Sequence, residues 1–322
     1  MTSFARLLVA SIIFLAPTLA TAQDWPNRPV RIVSPFAAGG TADILARMVA
    51  DHLSSVFKQQ FFVENRGGAG GTIAVQGVVS SPPDGYNLVL TNISMLVTIP
   101  VMNPKLAYHP IRDLTNIAYV AGAPIVISVN GPSGIKSLDQ LVALGKKQGK
   151  PLSYSSSGVG TNGHLLGESF GKLAKINIVH IPYKGAAIGI TDLIAGHINF
   201  GLPVLGSIAA HLRSGALVPL AHSAGMRVPE YPDIPTLKEV GYPDLTTTTW
   251  FSLSGPANMP RPIAERLNRE VAAMLKKPEI QARIQRDGMI TEPMSIDEFG
   301  KFIAAETTRW KPVIEAAGLV SK

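Results

Sequence analysis

Residues 30–57, VRIVSPFAAGGTADILARMVADHLSSVF, join an apolar run to an amphipathic one through a turn of small residues. The β-branched run 30–35 predicts a strand. From Thr41 to Phe57 the apolar residues follow helical spacing, with Leu45, Met48 and Leu53 on one face. The segment therefore predicts a strand, a tight turn and a helix.

The same alternation continues on the C-terminal side of this segment. Residues 61–63 predict a second strand, residues 72–80 a second helix and residues 87–91 a third strand. A βαβαβ order predicts a parallel sheet with helices on both faces.

A second alternating series begins with an apolar strand at 123–129. Its predicted elements are, in order, helix 137–148, strand 152–155, helix 161–174, strand 178–181, helix 186–195, strand 198–202 and strand 218–222. The chain is therefore expected to build two α/β lobes.

From Trp250 onward the alternation of strands and helices ends, and the predicted elements become mostly helical. Strand 251–253 precedes a proline-rich stretch and then helices, and Ser295 with Glu298 three residues later is typical of a capping box. We expect this helical tail to pack on the first lobe. Residues 23–125 and 247–322 would then form lobe 1 and residues 126–246 lobe 2, with crossings near 124–130 and 242–249.

The N-terminus has the pattern of a secretory signal. Arg6 is the single charge in the first 22 residues, Leu7–Leu15 is apolar, and Ala20-Thr21-Ala22 gives a small-x-small end. The alternatives are a buried N-terminal helix and a membrane anchor, but the run is short for about 30 Å of hydrocarbon. We expect cleavage after Ala22 and a periplasmic location.

Composition excludes several classes of protein. Among 322 residues, 46% are hydrophobic, 16% are charged and none is Cys, which argues against disorder and excludes disulfide scaffolds, thiolate metal sites and Cys catalysis. The net charge is +7, but the longest basic runs are Lys146-Lys147 and Lys276-Lys277, so nucleic acid is not an expected partner. A mildly positive field favours encounter with small anions.

Enzyme motifs occur only in unsuitable contexts. Gly158–Gly163 fits G-x-G-x-x-G, but no acid follows the next strand to take the ribose hydroxyls of a dinucleotide. Gly167–Gly171 fits G-x-S-x-G, but Ser169 falls in the middle of a predicted helix and not on a strand-to-helix turn. The histidines lack metal-ligand spacing. No enzyme activity, cofactor or metal is therefore expected.

Three strand-to-helix turns share a composition of small and hydroxyl-bearing residues: 34–43, 155–161 and 182–187. Such turns let backbone N–H groups face an anion at a helix N-terminus. The residues alone leave two interpretations equally acceptable. The turns either form a cleft that binds an anion from both lobes, or they are three ordinary βα turns.

Over almost all of its length beyond residue 22, the chain resembles the solute receptors of tripartite tricarboxylate transporters, also called Bug receptors. The segments that carry the resemblance are WPNRPVRIVSPFAAGGTADILAR (25–47), VENRGGAGGTIA (63–74), PPDGYNLVLTN (82–92), YSSSGVGTNGHLLGESF (154–170), VHIPYKGAAIGITDLIAGHINF (179–200), FSLSGPANMPRPIAERLNREV (251–271) and RWKPVIEAAG (309–318).

The resemblance implies a type II periplasmic binding protein fold, with two α/β lobes and a hinged cleft that binds organic carboxylates. Carried onto this chain, its ligand-binding positions are Phe36, Ala37, Gly39, Gly40, Thr41 and Asp43 in lobe 1, and Ser155, Ser157, Gly160, Thr161, Tyr183, Gly185, Ala186 and Pro203 in lobe 2.

One loop departs from the family pattern. Many relatives carry an Asp-Asn pair where this chain has Leu202-Pro203-Val204. Because an acid at that point can meet a ligand amine, its absence disfavours amino acids and favours an apolar or aromatic carboxylate.

The implied function is that of a monomeric extracytoplasmic receptor. It would bind a small organic carboxylate, either a di- or tricarboxylate or an aromatic carboxylate, and deliver it to a membrane transporter of the tripartite tricarboxylate type. A periplasmic sensor partner of a signalling system would share the same fold and stays an alternative. A hydrolase or a dehydrogenase is the remaining alternative, disfavoured by the motif contexts.

Overall fold

The structure is a computed structural model that describes residues 25–320, so the predicted signal segment 1–22 lies outside the described residues. The strands are β1 (Val30–Ser34), β2 (Phe61–Asn65), β3 (Asn87–Asn92), β4 (Leu114–Ala123), β5 (Val126–Asn130), β6 (Leu152–Ser156), β7 (Ile178–Pro182), β8 (Phe200–Gly201), β9 (Leu217–His222) and β10 (Thr249–Pro256). The α-helices are α1 (Thr41–Phe57), α2 (Thr72–Val79), α3 (Ile99–Met102), α4 (Leu138–Lys147), α5 (Asn162–Ala174), α6 (Ala186–Ile194), α7 (Leu205–Arg213), α8 (Arg261–Leu275), α9 (Pro278–Arg286) and α10 (Ile296–Ala317).

The first sheet has the strand order β2-β1-β3-β10-β4. β1 pairs in parallel with β2 and β3, with Val30 opposite Phe61 and Arg31 opposite Asn87. β10 enters between β3 and β4 and runs antiparallel to both. The carboxyl ends of β1 and β3 therefore meet at one edge of the sheet, where α1 begins.

The second sheet has the order β7-β6-β8-β5-β9. β6 pairs in parallel with β7 and β8, whereas β5 is antiparallel to β8 and β9. The carboxyl end of β6 precedes α5, and that of β7 precedes α6. The two sheets form the cores of two α/β lobes.

The predicted parallel arrangement is confirmed for β1, β2 and β3, whereas the strands next to the crossovers pair antiparallel. Residues 114–122 carried no prediction and belong to β4, and the strand predicted at 123–129 is divided between the end of β4 and β5. β10 is longer than predicted and antiparallel. β10 is the strand on which the chain returns to the first sheet, so it enters from the opposite end.

The chain passes from the first sheet to the second between Ala123 and Val126 and has returned by Thr249. The predicted first crossing, 124–130, therefore includes β5, a full strand of the second sheet. The lobe boundaries at 125/126 and 246/247 stay a prediction.

The helical tail lies against the first sheet. Leu267 of α8 and Phe299 of α10 are fully buried in the same cluster as Ile32 of β1. The Trp250 indole N–H of β10 donates to Glu306 of α10 at 3.1 Å. The capping box is present, because the Ser295 hydroxyl accepts from the Glu298 amide and the Glu298 carboxylate accepts from the Ser295 amide. Between residues 25 and 320, no helix is both long and apolar enough to cross a membrane.

Candidate functional site

A cavity of about 40 Å³ lies between the two lobes, next to the carboxyl ends of β1, β3 and β6. That volume holds only a few water molecules at roughly 10–15 Å³ each. Its lining consists of Phe36, Gly40, Thr41, Ala42, Asn92, Ser94, Ile125, Ser157, Thr161, Asn162, Gly163, Ala186, Leu202, Val204, Ser207, Thr249 and Phe251. The lobes are therefore closed, and a larger ligand must widen this space.

Four helices begin at the cavity wall. The first turns of α1, α5, α6 and α7 all contribute lining residues, and in none of them does the N-cap side chain accept a hydrogen bond from the helix. Each helix N-terminus carries roughly half a positive charge, spread over its unsatisfied N–H groups. The wall is therefore suited to an anion.

Neutral hydroxyl and amide groups surround the same space. The Thr41 hydroxyl is buried and, among the described residues, has no hydrogen-bond partner. The Asn92 side-chain oxygen accepts from the Ser94 amide at 2.9 Å and the Met95 amide at 3.4 Å, which leaves the Asn92 NH₂ group available to the cavity. These groups add donors without adding charge.

Among residues 25–320, no charged side chain lines this cavity. The polar groups are balanced by apolar ones, including Phe36, Leu202, Val204 and Phe251. An anion at this site would thus be held by helix N-termini and neutral donors, with its apolar part against these four side chains.

Eight of the predicted site residues border this space. Six line the main cavity: Phe36, Gly40, Thr41, Ser157, Thr161 and Ala186. Ser155 and Pro203 line an adjoining cavity of about 10 Å³, which shares Ser157, Ala186 and Leu202 with the main one. The site therefore draws on both lobes.

Asp43 was predicted in the site and lies behind it. Its carboxylate accepts from the Gly39 amide at 3.1 Å, the Asn65 side chain at 2.8 Å and Arg47 at 3.0 Å. Burial by itself would raise the pKa of Asp43, but these hydrogen bonds outweigh it and hold the pKa below the ordinary carboxyl value. Asp43 and Gly39 therefore shape the turn before α1 and do not line the cavity.

The other predicted residues that do not line the cavity lie where the lobes touch or just beyond. The Ala37 amide donates to the Lys184 carbonyl across the cleft at 3.0 Å. A Cβ atom on Gly185 would lie 2.9 Å from the Ala37 nitrogen, and one on Gly160 would lie 2.7 Å from Ile99. The Tyr183 hydroxyl donates to Asp192 at 2.6 Å.

Sequence reasoning missed cavity residues at the end of β3, just after β3, at the start of α5 and at the start of β10. Asn92, Ser94, Asn162 and Thr249 all line the cavity. A signal was available for the first two, because Asn92 and Ser94 follow the apolar run 88–90 at a strand's carboxyl end, where α/β sheets place ligands.

A stack of one buried ring, Tyr154, and two half-buried rings, His164 and His180, lies against the turn that precedes α5. The His180 ring stacks on His164 with centroids 4.3 Å apart and on Tyr154 at 4.9 Å, and its Nε2 lies 2.7 Å from the Ser156 hydroxyl. The Gly160 amide donates to His164 Nδ1 at 3.2 Å. Burial, with a smaller contribution from His164, lowers the pKa of His180 to about 4, so the ring is neutral at pH 7.

Sequence comparison identifies similar proteins along nearly the whole chain. The tripartite tricarboxylate transporter family receptor, TctC, matches residues 45–319. The protein BugT of Bordetella pertussis is 30% identical over 321 residues, covering 98% of this chain and 98% of BugT. A UPF0065 protein of Bordetella bronchiseptica is 32% identical over 317 residues, covering 98% of this chain and 94% of its own.

Solved structures with the same fold include ligand complexes. An R. palustris protein solved with adipate is 32% identical, with a TM-score of 0.88 over 92% of this chain and 99% of its own. MatC from Rhodopseudomonas palustris, with bound malate, is 26% identical, with a TM-score of 0.85 over 90% of this chain and 100% of MatC. The periplasmic binding protein BugD is 29% identical, with a TM-score of 0.88 over 92% of this chain and 100% of BugD.

Proposed function

Because the chain belongs to the tripartite tricarboxylate transporter receptor family, whose members are periplasmic solute receptors, we propose that it binds a small amine-free carboxylate between its lobes and delivers it to a membrane transporter of that type. One observation carries the proposal: four helix N-termini and several neutral donors converge on a cavity that, within the described residues, no charged side chain lines.

The charge of the site favours a carboxylate. Helix N-termini and hydroxyl donors stabilise negative charge, and the described lining residues of the cavity provide no carboxylate as a counter-charge for a cation. Since no Lys or Arg in residues 25–320 lines the cavity, the site provides dispersed partial charges for a planar carboxylate group. An overall net charge of +7 adds long-range attraction for anions.

The same lining disfavours a ligand amine. Leu202 and Val204 border the cavity where an acid would be needed to receive an ammonium group. Asp43 is engaged with Arg47 and Asn65, and Asp192 with the Tyr183 hydroxyl. A buried ammonium would lose its water without gaining a counter-charge, which costs several kcal/mol.

The solved relatives are consistent with this choice of ligand. Adipate and malate, the molecules in two of those structures, are dicarboxylates without an amine. The apolar side chains of Phe36, Leu202 and Phe251 would pack on the methylene or aromatic part of such a ligand.

We also propose that the protein is exported to the periplasm. The segment that ends at Ala22 has the pattern of a cleaved signal, and the family is periplasmic. The mature protein is then expected to begin at Gln23.

Thermal unfolding with a panel of carboxylates tests the ligand class. We expect amine-free carboxylates such as adipate, malate and benzoate to include at least one that raises the Tm. A ligand at about 100 times its Kd adds roughly 2.7 kcal/mol to the free energy of unfolding, an easily measured effect. Aspartate and glutamate at equal concentration should do much less.

Gly40→Val separates cleft binding from general salt effects. Gly40 has an ordinary φ of −86°, and a Cβ atom there would meet Ala186 at 3.8 Å, so a larger side chain fits the backbone but fills the cavity. The variant should lose the Tm shift. Gly149→Val, on a surface glycine with open space around it, is the matched control and should keep the shift. A larger shift with aspartate or glutamate than with every amine-free carboxylate would contradict the proposal.

A further inference from the structure

One hydrogen bond between the lobes lies in the cavity wall. The backbone N–H of Asn162, the first residue of α5, donates to the Ser94 hydroxyl of the opposite lobe at 3.1 Å. Ser94 is 1% exposed and Asn162 is 2% exposed, and both line the cavity. The contact thus joins the lobes at the place where a ligand would lie.

Further hydrogen bonds fix the positions of both Ser94 and Asn162. Ser94 opens a π-helical turn, Ser94–Thr98, and its amide donates to the Asn92 side chain at 2.9 Å. The Asn162 side-chain amide donates to the hydroxyl of Thr247 at 3.1 Å and to that of Thr249, the first residue of β10, at 3.0 Å. The bond between the Asn162 N–H and the Ser94 oxygen is therefore a contact between well-positioned groups of the two lobes in this closed arrangement.

The Ser94 hydroxyl retains its donor capacity. A serine hydroxyl has one proton to donate and two lone pairs that accept. Its oxygen accepts from Asn162, and no acceptor for its proton occurs among the described residues. A buried donor without a partner destabilises the protein, and an acceptor in the cavity would remove that cost.

We propose that Ser94 is a specificity-determining residue that couples carboxylate binding to lobe closure, accepting the Asn162 N–H of one lobe while donating its proton to a ligand carboxylate oxygen. This inference rests on the proposed function. A hydroxyl that donates to an anion becomes a better acceptor, so the ligand strengthens the bond between the lobes. An ammonium group in this position could only donate to the remaining lone pair of the Ser94 oxygen and would leave the Ser94 proton without an acceptor.

The alternative is that the Ser94 hydroxyl only joins the two lobes through its hydrogen bond with Asn162 and does not contact the ligand. The chain offers a matched control for that role in Thr98, whose hydroxyl donates to the Gly160 carbonyl across the cleft at 2.8 Å. Thr98 is fully buried but does not line the cavity. Its removal weakens closure without removing a ligand contact.

The test compares Ser94→Ala, Ser94→Thr and Thr98→Val in titrations with adipate, or with the panel carboxylate that gives the largest Tm shift, and with the monoamide of the same acid. We expect Ser94→Ala to bind the carboxylate about tenfold more weakly and to lose part of the preference for the carboxylate over its amide, because a hydrogen bond to a charged acceptor is the stronger one. Ser94→Thr should retain more affinity than Ser94→Ala. Thr98→Val should weaken both ligands by the same factor and keep the preference.

Two results would overturn the proposal while the wild-type protein still binds. One is an affinity of Ser94→Ala within twofold of wild type. The other is an equal loss in Ser94→Ala and Thr98→Val with the carboxylate-to-amide preference unchanged, which would make Ser94 a structural tie. Wild-type protein that binds no carboxylate would instead overturn the proposed function and this inference with it. Thermal unfolding of each variant without ligand verifies that it is folded.

Discussion

Single side chains at this site are distinguished by their hydrogen-bond partners more than by their residue type. Thr41 and Asp43 are both buried in the first turn of α1. The Thr41 hydroxyl has no partner among the described residues, whereas the Asp43 carboxylate receives three hydrogen bonds. Thr41 is therefore free to contact a ligand, and Asp43 acts by holding the turn that presents Thr41.

Asp43→Asn should destabilise the fold at neutral pH. Because the folded-state pKa of Asp43 is below its unfolded value, its stabilising contribution is present above about pH 3.9 and is lost as the pH falls through the lower folded-state pKa. We expect a loss of about 1–3 kcal/mol in urea unfolding at pH 7. The difference from wild type should shrink at pH 3.

Asp51→Asn is the matched control, because Asp51 lies on the same helix and is exposed. It should change the unfolding free energy by no more than about 0.5 kcal/mol. Equal losses in the two variants, or a loss for Asp43→Asn that persists unchanged at pH 3, would refute the role assigned to the Asp43 carboxylate.

Among the secondary-structure elements, sequence predicts those whose signals are local. Helix α1 spans Thr41–Phe57 as predicted, and the capping box of α10 is confirmed. Helix α7 begins at Leu205 after Val204, which provides no side-chain cap, and the π-helical turn at Ser94 has no simple periodicity, so neither carried a prediction. Asn92 and Ser94 lie at the carboxyl end of a strand, a position that the sequence indicates, whereas Asn162 makes its contacts with distant segments, which no local pattern encodes.

Gly70 lies where the two lobes come into close contact, and its lack of a side chain allows that contact. Gly70 has a φ of +64°, and a Cβ atom there would lie 2.7 Å from the Val159 carbonyl oxygen of the opposite lobe and 2.7 Å from Ile99. Backbone cannot move aside as a flexible side chain can. Gly70→Ala should therefore hold the lobes apart, raise the radius of gyration in small-angle scattering and weaken carboxylate binding about tenfold.

Gly134→Ala provides the comparison for backbone strain alone. Gly134 has a similar φ of +74°, but a Cβ atom there would meet nothing within 4 Å. Both variants should lose about 1–2 kcal/mol of stability from the left-handed conformation. Only Gly70→Ala should change the lobe separation and the carboxylate affinity. An unchanged radius of gyration and affinity in that variant would mean that the contact between the lobes at residue 70 tolerates the methyl group.

In the whole molecule, the two sheets are joined through two crossover segments that are bonded to each other. The fully buried Ser223 hydroxyl accepts from the Ile125 amide at 2.9 Å and donates to the Thr247 carbonyl at 2.6 Å. Ile125 and Thr249 of these segments also line the cavity. Movement of the lobes and the shape of the binding space are thus connected through the same short stretches of chain.

This architecture predicts binding without chemical conversion. No Asp, Glu, His, Lys or Arg of residues 25–320 lines the cavity, so a bound ligand would meet no general acid or base. The pair most like a nucleophile and its base is Ser156 with His180, at 2.7 Å. The Ser156 oxygen also accepts from the Gly158 amide at 3.2 Å, and Ser156 is 5% exposed, so the pair supports the turn before α5.

Stoichiometric incubation distinguishes a receptor from a slow enzyme. Purified protein mixed with an equal amount of the carboxylate that stabilises it most should return that carboxylate unchanged by mass spectrometry after a day at neutral pH. Burial lowers the pKa of His180 to about 4, so its ring is only a weak base at neutral pH, and we expect no conversion through it. Conversion of the ligand that disappears in both Ser156→Ala and His180→Gln, with binding retained, would assign this pair a catalytic role and overturn the assignment as a receptor.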